Sequence, residues 1–411
     1  MSAIEAAYRA RTPRSAKLAA RAEAVMPGGD TRSATYHDPY PLTIVDAAGH
    51  EIVDADGNRY LDLIMNYTSL VHGHAYPPIV EAVARQVAHG SAFAARNLPQ
   101  LELAETLVER IGSVERLRFT NSGTEANLVA IEIARLATGR RMILMASFGY
   151  HGSAEETEVG THGREGPVTL IAPYGDLEAF ERVLAERGDE VAAVILEPVQ
   201  GVGGIVEAPP GFLAGVHAAA RRAGAVFIID EVITLRLAPG GCQSRHGVVP
   251  DLTTMGKVIG GGLPVGAVGG RTDLLGLLHP RTGMATHSGT FNGNPMTAAA
   301  GLVSIRELTA ARIEVMARLT ERLAAGISKA AAQVGVPVDV RRVGSLLNVS
   351  LPDDADQEAF HLAALNHGAF FAPRGMLCLS TITDEDVVDR ALERLGSALA
   401  DVAMPSRAAL G

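Results

Sequence analysis

Asp230 and Lys257 are the residues whose types and settings point most directly to chemistry. Asp230 opens an Asp-Glu pair that follows Ala225-Val226-Phe227-Ile228-Ile229 without a break. That apolar, β-branched run is too short for a helix and suits a strand buried on both faces, as in a parallel sheet. In open α/β sheets the ligand crevice lies just beyond the strand C-termini, which is where this charge falls. Lys257 stands in Leu252-Thr253-Thr254-Met255-Gly256-Lys257-Val258-Ile259-Gly260-Gly261-Gly262, an apolar and glycine-rich setting. A lysine kept out of water there is a ready amine nucleophile, because desolvation favours its neutral form. Taken singly, each residue has a plainer reading: Asp230 as a helix cap or metal ligand, Lys257 as a solvated surface residue.

The pairing is more specific than either member. Pyridoxal phosphate needs a lysine for its Schiff base and an aspartate that keeps the pyridine nitrogen protonated, so that the ring acts as an electron sink. A nucleotide hydrolase can also place Asp-Glu after an apolar strand, but no G-x-x-x-x-G-K-[ST] loop occurs in the chain. Gln200-Gly201-Val202-Gly203-Gly204 lacks the G-x-G-x-x-G spacing of a dinucleotide loop. Other segments carry polar groups at the same kind of position. In Asn121-Ser122-Gly123-Thr124-Glu125-Ala126-Asn127, Ser122 and Glu125 fit a capping box, and the free N–H groups of a helix start also suit a phosphate. Tyr150 lies in a turn after a short apolar strand, and Glu197 ends another. Arg32, in Thr31-Arg32-Ser33, and Arg374, in Ala372-Pro373-Arg374-Gly375-Met376, are loop arginines whose plain reading is a solvated surface.

These residues need a scaffold of alternating strands and helices. Residues 1–26 read as one amphipathic helix, stopped by Pro27-Gly28-Gly29-Asp30. From 42 to 63, apolar segments broken at Ala48-Gly49 and Asp56-Gly57 predict a small antiparallel meander. Helical periodicity covers 79–87 and 101–111, strands 116–120, 142–145 and 191–196, and a helix 211–223. Residues 258–270 read as a hairpin or paired strands, and Asn294 and Pro295 as the cap and first position of a helix. The alternation is that of a doubly wound α/β domain. Beyond residue 301 the pattern changes to long helices with strand-like 336–343 and 346–351, an α+β second domain. The expected division is 1–67 with the small domain, 68–300 as the large domain, and 301–411 as the C-terminal small domain.

Composition narrows the function classes. Of 411 residues, 36 are basic and 46 acidic, a net charge of −10 that argues against nucleic acid as the main partner. Two cysteines, Cys242 and Cys378, are too few for a metal cluster or a disulfide framework and fit a reducing cytoplasm. No apolar run approaches the roughly 18 residues of a membrane span.

Together these segments resemble the class III (ω-) aminotransferases of pyridoxal phosphate fold type I: a large doubly wound mixed-sheet domain plus a smaller α+β domain. The resemblance runs from Thr31 to about Leu395 and is nearest to the β-amino-acid (β-phenylalanine) aminotransferases and glutamate-1-semialdehyde aminomutase. It implies that Ser122, Gly123 and Thr124 form a phosphate cup. Tyr150 would stack on one face of the cofactor ring and Val232 on the other, with Glu197 near the phenolic oxygen. Thr290 would reach the phosphate of the other subunit, which makes a homodimer with shared active sites the functional unit. Arg32 would bind a substrate carboxylate, Tyr67 would line the substrate pocket, or serve only as a core or interface aromatic, and Arg374 is a second candidate for a carboxylate. Either arginine can take the donor or the acceptor. The implied reaction moves an amino group from a β-amino acid to a 2-oxo acid such as 2-oxoglutarate or pyruvate by a ping-pong mechanism, with Lys257 and Asp230 as catalytic residues and no metal. The alternatives are an aminomutase or racemase and, more remotely, a non-catalytic cofactor-binding protein. The aminomutase carries an acidic residue in a Gln-Phe-Glu-Ala stretch near the place of Pro373-Arg374-Gly375; this chain lacks it.

Overall fold

Short β-branched runs separated by capped helices produce a seven-stranded sheet. The computed structural model describes residues 2–408. Across the sheet the strands run Arg116–Thr120, Gly266–Gly270, Leu252–Gly256, Val226–Asp230, Val191–Leu196, Met142–Ala146 and Thr169–Ala172. All neighbours are parallel except at Gly266–Gly270, which is antiparallel to both strands beside it. The sheet is therefore mixed. Val191–Leu196, Val226–Asp230 and Leu252–Gly256 are buried at every position, as continuous apolar runs in a covered sheet must be. One face packs under Leu177–Arg187 and Phe212–Ala223, with Phe180, Phe212 and Phe227 among its core. The other packs under Gly123–Thr138, through Ile131, Ile133 and Ala134.

The chain divides into two compact units, residues 77–313 and residues 1–76 with 314–411. The boundaries lie beyond the expected 67 and 300. Helix Pro295–Glu307 explains the second shift, because it packs against Pro77–Ala88, Leu98–Arg110 and the turn Lys257–Gly260 within the larger unit. Ser304 donates to the Val258 carbonyl at 2.7 Å, and Gly301 lies so close to Ile259 O that no side chain would fit. The expected paired strands at 258–270 are one 3-10 turn, Lys257–Gly260, and one strand, Gly266–Gly270.

The smaller unit carries a four-stranded sheet in which Ile44–Ala48, Glu51–Asp54 and Arg59–Asp62 form the meander and Ala369–Phe370 adds parallel to its edge. A second sheet joins Asp339–Val343, Leu346–Ser350 and Met376–Cys378. Its core includes Leu323, Leu347, Phe360 and Phe371. The single N-terminal helix expected from periodicity is two, Ala3–Arg11 and Pro13–Glu23. Pro13 has no N–H to continue the first helix and instead opens the second, with Thr12 outside helical geometry.

Candidate active site

The strand Val226–Asp230 delivers Asp230 to the carboxyl edge of the sheet, 4% exposed. Its Oδ2 accepts from His151 Nδ1 at 2.8 Å and from Asn127 Nδ2 at 2.8 Å, and its Oδ1 from the Val232 N–H at 2.9 Å. Burial by itself pushes this carboxyl up; the His151 hydrogen bond and charge, with the Val232 and Asn127 donors, outweigh it and hold the carboxyl below its ordinary value. Burial likewise works against protonation of His151, and Asp230 overcomes it, so the imidazole is held above its ordinary value. The result is a buried ion pair with an anionic oxygen that still has acceptor capacity. Asn127 also donates to the His151 carbonyl at 3.0 Å, which fixes the turn that carries the imidazole. His151 and Asn127 were not singled out from sequence. Neither has a signal of its own; only their position beside Tyr150 and inside the Gly123–Thr138 helix hinted at the site.

Glu197 directly follows the neighbouring strand Val191–Leu196 and is buried. It accepts from the Tyr150 N–H at 3.1 Å and the Gly201 N–H at 3.0 Å. Burial pushes its carboxyl up to about 7, with the His151 charge pulling it down and Asp230 pushing it further up. At neutral pH Glu197 can therefore donate as well as accept. Tyr150 is 37% exposed, its ring available to a ligand.

Ser122 caps the Gly123–Thr138 helix, accepting from the Glu125 N–H at 3.1 Å. The reciprocal half of the expected capping box is displaced by one residue, because Glu125 Oε2 accepts from the Asn121 N–H at 2.8 Å. A Cβ added at Gly123 would lie 3.0 Å from both Val232 methyl groups, and one at Gly256 would lie 3.3 Å from one of them. Val232 thus joins the helix start to the residue before Lys257. Gly152, at φ +113°, passes so close to Thr124 that a Cβ would fall 2.6 Å from its Oγ1. Lys257 is half-buried and has φ 47°, a left-handed conformation rare for a side-chain-bearing residue. Such conformations persist where the surroundings over-determine them, often at functional sites. Thr290 lies exposed in a loop tied back to the helix start by Asn121 Nδ2 donating to Asn292 Oδ1 at 2.8 Å.

Within the smaller unit, the positive charges of Arg32 and Arg374 both act on Tyr67. Burial pushes this phenol up, and the positive charges of Arg32 and Arg374 pull against it. Arg32 and Arg374 are exposed. Tyr67 belongs to an unusual turn: Met65, Asn66, Tyr67 and Thr68 have φ of 48°, 48°, 52° and 76°. Left-handed helical backbone costs roughly 1–2 kcal/mol per L-residue. Asp62 anchors the start of the turn, its Oδ1 accepting from the Ile64 and Met65 N–H groups at 2.8 and 2.9 Å while its Oδ2 pairs with His74 Nε2 at 2.6 Å.

A family model described as aminotransferase class-III matches residues 32–399. The chain belongs to that family. It is 40% identical over 392 residues to a β-phenylalanine transaminase of Variovorax paradoxus, covering 90% of this chain and 89% of the relative. It is 39% identical over 427 residues to a glutamate-1-semialdehyde 2,1-aminomutase of Anaeromyxobacter dehalogenans, covering 96% and 99%. The solved structure of an ω-transaminase from Sphaerobacter thermophilus matches with a TM-score of 0.91 at 40% identity, over 94% of this chain and 97% of that one. The fold is that of the fold type I transaminases, and the family's cofactor is pyridoxal phosphate. The residues present suit that group. A helix N-terminus with Ser122, Gly123 and Thr124 can take a phosphate, buried anionic Asp230 can take a pyridinium N–H, and Lys257 provides the amine. Class III aminotransferases act on an amino donor and an oxo acid.

Proposed function

We propose that this aminotransferase moves the amino group of an aromatic β-amino acid, such as β-phenylalanine, to a 2-oxo acid such as 2-oxoglutarate or pyruvate, in two alternating half-reactions. The observation that carries the reading is the pair of exposed guanidiniums bearing on Tyr67, two cationic forks for two carboxylate substrates. The similarity to a β-phenylalanine transaminase supports the same substrate class.

When bound, the cofactor supplies an electron sink for the pair left on the donor carbon. Ser122, Gly123 and Thr124 would hold its phosphate, Tyr150 and Val232 its two faces, and Glu197 its phenolic edge. Asp230, kept ionised by His151 and Asn127, would hold the proton on the pyridine nitrogen. Lys257 Nζ would carry the covalent link and, once displaced by the donor amine, take the proton from the donor carbon. Proton transfer by a positioned base contributes about 10²–10⁴-fold in rate. Arg32 and Arg374 would bind the carboxylates that orient donor and acceptor. A homodimer is part of this reading. Leu98, Leu101, Val87 and Phe93 are exposed on and beside the helices Pro77–Ala88 and Leu98–Arg110, with Phe291 exposed next to Thr290. Apolar exposure of this kind suits a second copy whose Thr290 serves the neighbouring site.

The deciding experiment is a half-reaction. Protein loaded with pyridoxal phosphate is mixed with β-phenylalanine and no acceptor, and the cofactor is extracted and identified. Stoichiometric recovery of its aminated form supports the proposal. An unchanged cofactor, together with rearrangement of glutamate-1-semialdehyde, replaces the proposal with the aminomutase reading, which the 39% identity to such an enzyme favours.

A further inference from the structure

The left-handed turn at residues 65–68 places two side chains against the loop that bears Arg32. Arg32 Nη1 donates to Asn66 Oδ1 at 2.8 Å. The Tyr67 hydroxyl donates to the Ala34 carbonyl at 2.6 Å. Asn66 cannot turn its amide around freely, because its Nδ2 donates to Ser69 Oγ at 3.0 Å while Ser69 Oγ donates to the Asn66 carbonyl at 2.9 Å. The oxygen end of the amide is therefore aimed at the guanidinium. The Arg32 loop is closed on its other side by Asp30, whose carboxylate accepts from the Thr31 N–H at 2.6 Å and from the Thr35 hydroxyl. The Thr35 N–H donates to the Arg32 carbonyl at 3.2 Å. The turn itself is built on buried supports. Leu63 donates to the Phe370 carbonyl at 2.8 Å, Cys378 donates through its N–H to the Leu63 carbonyl at 2.7 Å, and Asp62 caps Ile64 and Met65. Met65 and Thr68 are buried, whereas Asn66 meets the exposed Arg32 and Tyr67 meets the loop that bears it, so a strained, supported backbone presents two of its four side chains to that loop.

We propose that Asn66 is a positioning residue for Arg32, holding its guanidinium in the orientation that receives a substrate carboxylate, with Tyr67 fixing the loop at Ala34. This rests on the reading of Arg32 as a carboxylate ligand. An arginine on a flexible stem loses side-chain freedom on binding, and a fixed acceptor on one Nη removes part of that loss beforehand. The fork keeps its remaining N–H groups for the ligand. Asn66 contributes an uncharged acceptor, so it orients the cation without neutralising it, as an aspartate would.

The test uses holoenzyme and two dead-end ligands, 3-phenylpropanoate in place of the donor and glutarate in place of the acceptor, with affinities measured by calorimetry. Arg32→Ala identifies which of the two Arg32 holds. Asn66→Gly is then read on that ligand; glycine suits φ 48°, so the turn is kept while the carboxamide is removed. The expected result is about a tenfold loss of affinity for that ligand, a matching rise in KM for the corresponding substrate, unchanged affinity for the other ligand, and an unfolding temperature at or above that of the parent. Tyr67→Phe, which removes only the hydroxyl, is expected to lose affinity for the same ligand to a smaller degree. If Arg32→Ala weakens one ligand and Asn66→Gly binds it as the parent does, the positioning role is overturned while the carboxylate reading stands. If the parent binds neither ligand, or Arg32→Ala changes neither affinity, the carboxylate reading falls and the positioning role with it.

Discussion

Replacing Asp230 by asparagine should reverse the pH dependence contributed by its buried partner. In the parent, Asp230 and His151 form an ion pair at 2.8 Å with both side chains nearly inaccessible. His151 is held above its ordinary value, so its stabilising contribution is fully present below about pH 6.5 and is lost as pH rises through the folded value. In Asp230→Asn the burial remains and the anion is gone. The imidazole then prefers to be neutral when folded, and the variant loses stability as pH falls below 6.5, because the unfolded chain takes up the proton more readily. At pH 8 the cost is that of a weakened hydrogen-bond set, with the new amide N–H₂ facing the Val232 N–H, about 1–3 kcal/mol. Below pH 6.5 about 1.4 kcal/mol is added per pH unit, up to the roughly 3–5 kcal/mol of a broken buried pair. Cofactor-free parent and variant would be unfolded in urea at pH 5, 6, 7 and 8, and the difference in stability plotted against pH. A difference that grows toward pH 5 is expected. A flat difference, or one that shrinks on acidification, refutes the assignment of a charged His151–Asp230 pair. In the loaded enzyme the same substitution should slow removal of the donor proton by about 10²–10³-fold; an unchanged rate would remove Asp230 from the mechanism.

Lys257→Ala should abolish turnover while leaving the protein folded, and substantial transamination by this variant would show that another amine does the chemistry. Gly152→Ala places a Cβ 2.6 Å from Thr124 Oγ1 at a backbone angle of φ +113°, so it should destabilise the fold by about 1–3 kcal/mol and weaken cofactor binding, read by thermal unfolding and by titration with pyridoxal phosphate. Glu231 is completely buried, accepts from the Gln243 N–H at 2.6 Å and from the Thr234 hydroxyl, and is pushed up to about 7, chiefly by burial. A carboxyl raised in the folded state loses stability for the protein as pH climbs from about 4.5 to 7. Glu231→Gln should therefore be more stable relative to the parent at pH 8 than at pH 5, as urea midpoints at the two values will show.

Much of the larger unit was legible because its signals are local. Fully apolar runs at 191–196 and 225–229 mark the strands Val191–Leu196 and Val226–Asp230, and Ser122 and Asn294 mark helix starts whose caps the structure contains. The Asp230–Lys257 pairing points to the cofactor from residue types and settings alone. In these places a few contiguous residues decide the outcome, since period, capping and turn chemistry act over one or two turns of chain. The N-terminal break at Pro13 was equally local but was hidden by amphipathic periodicity on both sides of it.

The remainder needed contacts that no window of sequence contains. His151 and Asn127 become partners of Asp230 across separations of 79 and 103 residues, and without Asp230 neither has a reason to be singled out. The left-handed turn at 65–68 includes Met65, Tyr67 and Thr68, which avoid that conformation; besides the local cap from Asp62, Phe370 and Cys378 hold its entrance from distant parts of the smaller unit. A division at residue 300 cuts through the helix Pro295–Glu307, yet its buried face is complementary to the Lys257 turn, and packing assigns the whole helix to the larger unit. Sequence by itself determined the chemical groups and the elements that carry them. The charge state of Asp230, the conformation of Lys257 and the docking of the Arg32 loop on Asn66 and Tyr67 were decided by tertiary structure, because burial and long-range contacts arise only when distant segments are packed together.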